Sequence, residues 1–224
     1  MNYFKVLFAV VKKDLLIETR VKEVVNAALV FAILMVVVFS FTLEKGVGLE
    51  EKLSAGIFWI SVAFAGILSL NKTMALETEG GNFNALMLAP VDKSAIFFGK
   101  VISNMIFLLF IELILIPLML VFYNVLIINH PLMIAVIILC TYAFSLIGTL
   151  FAIISVNTSS KEIMLPVLLL PFMVPVLISA IISTNIFITE SPVYYSFSWL
   201  KLTAVFNIIF TAIIYGLFSW VIEE

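Results

Sequence analysis

Long apolar runs separated by short polar segments divide the chain into six stretches, near 24–43, 53–70, 96–122, 132–154, 163–183 and 202–222. Each approaches or exceeds the roughly 20 residues that a helix needs to cross a hydrocarbon core. Backbone in lipid must satisfy its own hydrogen bonds, so such runs predict helices. The connecting segments leave no room for a soluble domain, and residues 1–224 read as one all-α, polytopic membrane domain. Ahead of the first run, Phe4, Leu7, Phe8, Val11 and Leu15 recur at helical spacing while Lys12, Lys13, Arg20 and Lys22 supply charge. Residues 1–23 therefore predict an amphipathic helix along the membrane interface, acting either as a plain anchor or as a mechanical element.

Composition strengthens the membrane reading. The chain is 64% hydrophobic and 12% charged, and 21 of its 224 residues are Phe, more apolar surface than one soluble core of this size hides. The net charge of -2 says little about partners, and nucleic acid is not among those expected. Orientation follows from the basic residues. With the N-terminus in the cytoplasm, Lys5, Lys12, Lys13, Arg20, Lys22, Lys72, Lys93, Lys100 and Lys161 lie inside, and only Lys45, Lys52 and Lys201 lie outside. Both termini are thus expected to be cytoplasmic. The start does not read as a cleavable signal peptide, because Val6 to Val11 is short and is followed by Lys12-Lys13-Asp14.

The polar interruption from Glu77 to Lys100 is the segment most in need of a role. Lys72 to Glu79 carries charges at helical spacing, Gly80-Gly81 permits a sharp break, and Phe83 to Leu88 is a short apolar stretch with a rigid exit at Ala89-Pro90. This pattern predicts a small reentrant or interfacial helix. It suits docking into a groove of a soluble partner, with Glu77 and Glu79 meeting basic groups there; it equally suits a connector whose apolar residues rest on the bilayer.

Chemistry-bearing motifs are sparse. In G-x-x-x-x-G-K-[ST], Gly99-Lys100 would need glycine where Ser94 stands and a hydroxyl where Val101 stands, so the chain has no phosphate loop of its own. It has no C-x-x-C-H for covalent heme and no Cys/His metal cluster, and its single histidine, His130, precedes Pro131 in an expected outer loop. His130 reads as a turn residue before it reads as an axial heme ligand. Cys140, the only cysteine, reads as a small packing residue. No enzyme active site is indicated.

The run A-L-E-T-E-G-G-N-F-N-A-L-M-L-A-P-V-D-K-S-A-I-F-F-G-K closely resembles the signature of the heme exporter protein B family. K-K-D-L-L-I-E-T-R (12–20), G-I-F-W-I-S-V-A-F-A-G (56–66), G-T-L-F-A (148–152) and K-E-I-M-L-P-V-L-L-L-P-F-M-V-P (161–175) resemble further family segments in order, over effectively the whole chain. Two positions depart from the pattern: Asn84 stands where an acidic residue is usual and Lys161 where arginine is. The resemblance implies a permease subunit related to type-2 ABC exporters in the bacterial inner membrane. It implies a separate cytoplasmic ATPase that uses the ATP, heme as the substrate with no covalently bound cofactor, and heme-handling membrane and periplasmic chaperone partners. On that reading residues 77–90 form a cytoplasmic coupling segment, with Glu77, Glu79, Gly80, Gly81, Leu86, Pro90, Lys161 and Glu162 as the coupling residues.

Within the spans, Glu112 lies midway along the third, in F-I-E-L-I, where a charge costs about 2.5–3.5 kcal/mol on insertion scales. It therefore faces protein or water, either lining a path or sitting as a neutral carboxyl bonded to Asn, Ser or Thr of a neighbouring helix. Ser61, Ala65 and Ser69, and Gly148 with Ala152, allow close helix approach. Pro166, Pro171 and Pro175 predict a bent, protein-covered fifth span, and 192–199 reads as an aromatic interface segment. Two other functions fit the same features: a type-2 ABC exporter of lipid, glycan or drug, and an ion-coupled carrier using Glu112, although the chain shows no internal repeat.

Overall fold

The computed structural model describes residues 3–20, 22–43, 49–79, 85–86, 88–128, 130–155, 161–189, 191–192 and 194–220, with backbone alone at 18–20, 22, 24, 49–51, 79, 161–162 and 217–220. Seven helices stand among the described residues: α1 (Tyr3–Arg20), α2 (Lys22–Thr42), α3 (Leu49–Glu79), α4 (Lys93–Tyr123), α5 (Pro131–Ser155), α6 (Lys161–Ile188) and α7 (Tyr194–Trp220). The last six are long and apolar enough to cross a membrane, and α1 is not.

Burial sorts these six into centre and rim. In α3 and α5, 72% and 67% of the apolar window is buried, against 22% in α2 and 17% in α7, which leaves the last two as the exposed flanks of the bundle. Their outward residues, such as Val30, Leu34 and Phe41 or Ile208 and Ile213, are large and apolar, as a hydrocarbon solvent requires. At the centre, small residues set the approach of the rods. Gly66 of α3 lies under the ring of Phe144 of α5, and a Cβ at Gly148 would stand 2.7 Å from Leu70 Cδ1. Ser61, Ala65 and Ser69 are buried on the same helix.

Side-chain hydrogen bonds cross between spans at several points among the described residues. Trp59 Nε1 donates to Thr184 Oγ1 at 2.9 Å, Asn104 Nδ2 to Thr149 Oγ1 at 2.8 Å, and Tyr123 Oη to the Val36 carbonyl at 2.9 Å. Ser61 and Ser103 instead donate to the carbonyls of Ile57 and Gly99, one turn back on their own helices.

The helix boundaries differ from the sequence expectation in three places. α3 continues from the second apolar run through the charged stretch to Glu79, so Glu77 and Glu79 end a long rod and are not part of a separate loop. Nothing in N-K-T-M-A-L-E-T-E breaks a helix, and Ala, Leu, Met and Glu favour one. α7 begins at Tyr194, eight residues before the predicted sixth span; Tyr194, Tyr195 and Phe197 are exposed on its first turns while Ser196 is buried. The N-terminal helix ends at Arg20, and Lys22 and Glu23 already belong to α2.

Asp92 caps the start of α4, its carboxylate accepting from the Ser94 backbone N–H at 2.9 Å and from the Ser94 hydroxyl at 2.7 Å. α4 and α6 each run as one helix across their internal prolines, Pro117 in the first and Pro166, Pro171 and Pro175 in the second.

Candidate functional site

The site is built where α1, the last turns of α3 and the first turns of α4 meet. α1 carries two unlike faces. Val6, Leu7, Val10 and Val11 are buried against Ala95 and Ile96 of α4, whereas Phe4 and Phe8 are 70% and 67% exposed. The helix is therefore docked on a neighbouring rod by one apolar side, which the single amphipathic stripe read from the sequence does not distinguish. Gly99 makes that docking possible: a Cβ there would stand 2.8 Å from Val10 Cβ and 3.2 Å from the Leu7 carbonyl oxygen.

One turn along the same contact, four charged groups come together. Lys100 of α4 is 2% exposed, and its ammonium is bonded to Glu77 Oε2. Lys13 of α1 donates to the other carboxylate oxygen, Oε1, at 2.7 Å and stands 2.9 Å from Asp14 Oδ1. Asp14 Oδ2 lies 3.5 Å from Lys100 Nζ, which closes the ring. Asp14 and Glu77 are both buried, and Lys13 is 38% exposed. Two cations facing two carboxylates leave no net charge, which is the condition under which buried ions are tolerated. Burial alone would lower the Lys13 pKa, but the charge of Asp14 and the hydrogen bond to Glu77 outweigh it and hold the ammonium above the ordinary lysine value.

Among the sequence-derived coupling residues, Glu77 is thus placed inside the chain's own charge cluster, with both oxygens engaged, and not at a rim open to basic groups of another protein. Leu86 is half-buried against the α1–α4 patch, and Pro90 is exposed beside Leu88, which is 85% exposed. The Ala89 N–H donates to the Leu86 carbonyl at 3.3 Å and the Val91 N–H to the Ala89 carbonyl at 2.8 Å, a tight exit into Asp92. Gly80 and Gly81 lie outside the described residues, as do the side chains of Glu79, Lys161 and Glu162.

Lys13, Asp14, Lys100 and Gly99 were not among the predicted site residues. Two signals for them exist in the sequence. Lys100 interrupts the apolar register of α4 much as Glu112 does, and Asp14 falls on the buried stripe defined by Val6, Val10 and Leu7.

Glu112, His130 and Cys140 lie away from this cluster. Glu112 is 1% exposed; its Oε1 accepts from the Thr141 hydroxyl of α5 at 2.6 Å, and Oε2 has no hydrogen-bond partner among the described residues. Thr141 is a hydroxyl on a neighbouring helix, one of the partner types expected for this carboxyl. His130 caps α5: its Nδ1 accepts from the Leu132 N–H at 3.2 Å, and its ring stacks on Phe187 with centroids 5.2 Å apart and planes 9° from parallel. Cys140 is buried among Trp59, Val62 and Met173. Among the described residues, no three His, Cys, Asp or Glu side chains are grouped to hold a metal ion.

Comparison with known proteins matches the CcmB protein family model over residues 5–215. Three relatives described as heme exporter protein B align over most of both chains. That of Rhodobacter capsulatus is 26% identical over 170 residues, 76% of this chain and 78% of the relative. That of Pseudomonas aeruginosa is 26% identical over 177 residues, 79% of this chain and 78% of the relative. That of Paracoccus denitrificans is 25% identical over 170 residues, 76% and 78% respectively. With a match that starts two residues into α1, takes in the charge cluster and ends within α7, the chain belongs to the CcmB protein family.

Proposed function

We propose that this chain is the membrane permease subunit of an ABC transporter that exports heme for cytochrome c maturation, powered by a separate ATPase. The observation that carries the proposal is the family match over 5–215, together with relatives named heme exporter protein B. The subunit itself acts as a transport element and not as an enzyme. It resides in the bacterial inner membrane with both termini and residues 77–90 on the cytoplasmic side, in keeping with the nine-to-three distribution of basic residues across the loops. Its partners are the cytoplasmic ATPase, a heme-handling membrane protein and a periplasmic heme chaperone.

Coupling runs through the segment between α3 and α4. Closure of the ATPase presses on residues 77–90, where the exposed Leu88 and Pro90 form the leading surface. Glu79, Gly80, Gly81, Lys161 and Glu162 complete the contact and its hinge. α3 and α4, rods of 31 residues each, carry the displacement into the bundle. Glu112 and Thr141 hold α4 to α5 along the way.

The test is complementation. In cells lacking their own heme exporter protein B, this chain expressed with its ATPase should restore holocytochrome c and copurify with that ATPase. Transport of a lipid, glycan or drug with no effect on holocytochrome yield would overturn the heme assignment. Full turnover with the ATPase removed would overturn the permease assignment.

A further inference from the structure

We infer that Lys13, Asp14, Glu77 and Lys100 are the positioning base of the coupling segment, a staple that makes α1 and both ends of that segment move as one block. The inference rests on the permease reading above and deepens it by giving Lys13, Asp14 and Lys100 roles. Glu77 opens the segment and Lys100 lies beyond it on α4, 23 residues on in sequence, and their contact bridges its base. From α1, Lys13 grips the same carboxylate at 2.7 Å, and Asp14 reaches Lys100 at 3.5 Å. Leu86, from within the segment, packs on the α1–α4 apolar patch. The segment is thereby fastened at its root and, through Leu86, to the α1–α4 patch.

A buried ionic group is a weak device for stability alone, because apolar residues of similar volume often serve as well or better. What it supplies is registry. Each ammonium must meet a particular oxygen, so the three elements shift together or the contacts break. A push on the exposed Leu88–Pro90 tip then reaches α1 and α4 at once and is not absorbed by a yielding root. Gly99, one residue before Lys100, keeps α1 close enough for the grip.

The experiment compares four forms of the protein coexpressed with its ATPase: wild type, Lys100→Met, Lys100→Arg, and the double variant Glu77→Gln with Lys100→Met. Three quantities are read, namely copurified ATPase, ATP hydrolysis by the purified complex, and holocytochrome c yield. The double variant removes one charge of each sign and leaves the Lys13–Asp14 pair balanced, so it is expected to assemble and to hydrolyse ATP as wild type does. Its holocytochrome yield is expected to fall at least about tenfold, within the range that coupling between two sites is usually worth. Lys100→Arg, which keeps the cation, is expected to retain most of the yield. Wild-type yield from the double variant would overturn the inference, since the ions would then serve folding only. Failure of the charge-balanced double variant to assemble would overturn it on the same ground. Absence of holocytochrome from the wild type itself would instead sink the permease reading.

Discussion

Glu77 and Glu112 are both buried carboxylates in long apolar helices, yet their surroundings differ in kind. At the α1 end, Glu77 has two ammonium groups on its two oxygens and a second carboxylate balancing them. In mid-span, Glu112 has one threonine hydroxyl on one oxygen and none on the other among the described residues. The first environment holds an ion and loses its logic when any member is removed. The second suits a neutral group whose contribution is one hydrogen bond between helices. Burial by itself therefore does not distinguish the two carboxyls, whereas the groups around each of them do.

Removing one partner from the first environment should have the largest effect. Lys100→Met leaves Asp14 and Glu77 facing Lys13 alone, and is expected to cost about 3–5 kcal/mol, as for other broken buried pairs. A titration of the purified protein with SDS, read by loss of folded signal, measures it; a midpoint unchanged from wild type would contradict the ionic description of the cluster. Next in size is Gly99→Val, which drives a branched side chain into Val10 and the Leu7 carbonyl. Overpacking of this kind costs about 1–3 kcal/mol. Protease cleavage near Arg20 should accelerate as α1 lifts from α4, while the six-span core stays protected.

The mid-span carboxyl should respond far less. Glu112→Gln keeps an acceptor for Thr141 and the same volume, and is expected to change stability by less than about 1 kcal/mol, in line with single interhelical hydrogen bonds in membranes. Holocytochrome yield should be unimpaired, and a large loss of it would show that an ionised Glu112 is required. The smallest effect is the pH response of Lys13. Its raised pKa means that its stabilising contribution is fully present below the ordinary lysine value of 10.5 and is lost only as pH climbs through the higher folded value. The stability difference between wild type and Lys13→Met should stay level from neutral pH to about pH 10 and shrink above it. A difference that already vanished near pH 8 would contradict the pairing.

The six spans, the polar interruption and the family were legible in the sequence because each depends on local pattern. Hydropathy over a window marks a span wherever its neighbours lie. The cluster was legible only in part. Glu77 stood out by its place in a loop signature, but its partners sit 64 and 23 residues away, on helices whose meeting depends on packing around Gly99. A single sequence carries no record of such a meeting. Lys100 was read within a failed phosphate loop and Lys13 as a headgroup charge, and both readings treated as solvent-facing a residue that turns toward protein. The early start of α7 was missed for the opposite reason: aromatic residues favoured at membrane interfaces also continue a helix, and Pro192 precedes that helix without interrupting it.

Ser61 and Ser103 spend their protons on carbonyls of their own helices. A hydroxyl occupied in that way does not tether the rod beside it, so these two serines add no bond that must rupture when one rod slips along another. Where α3 meets α5, the notch at Gly66 receives the ring of Phe144 and sets a geometric obstacle to sliding. Filling that notch should act as a brake, slowing the stroke without touching either the motor or the cargo.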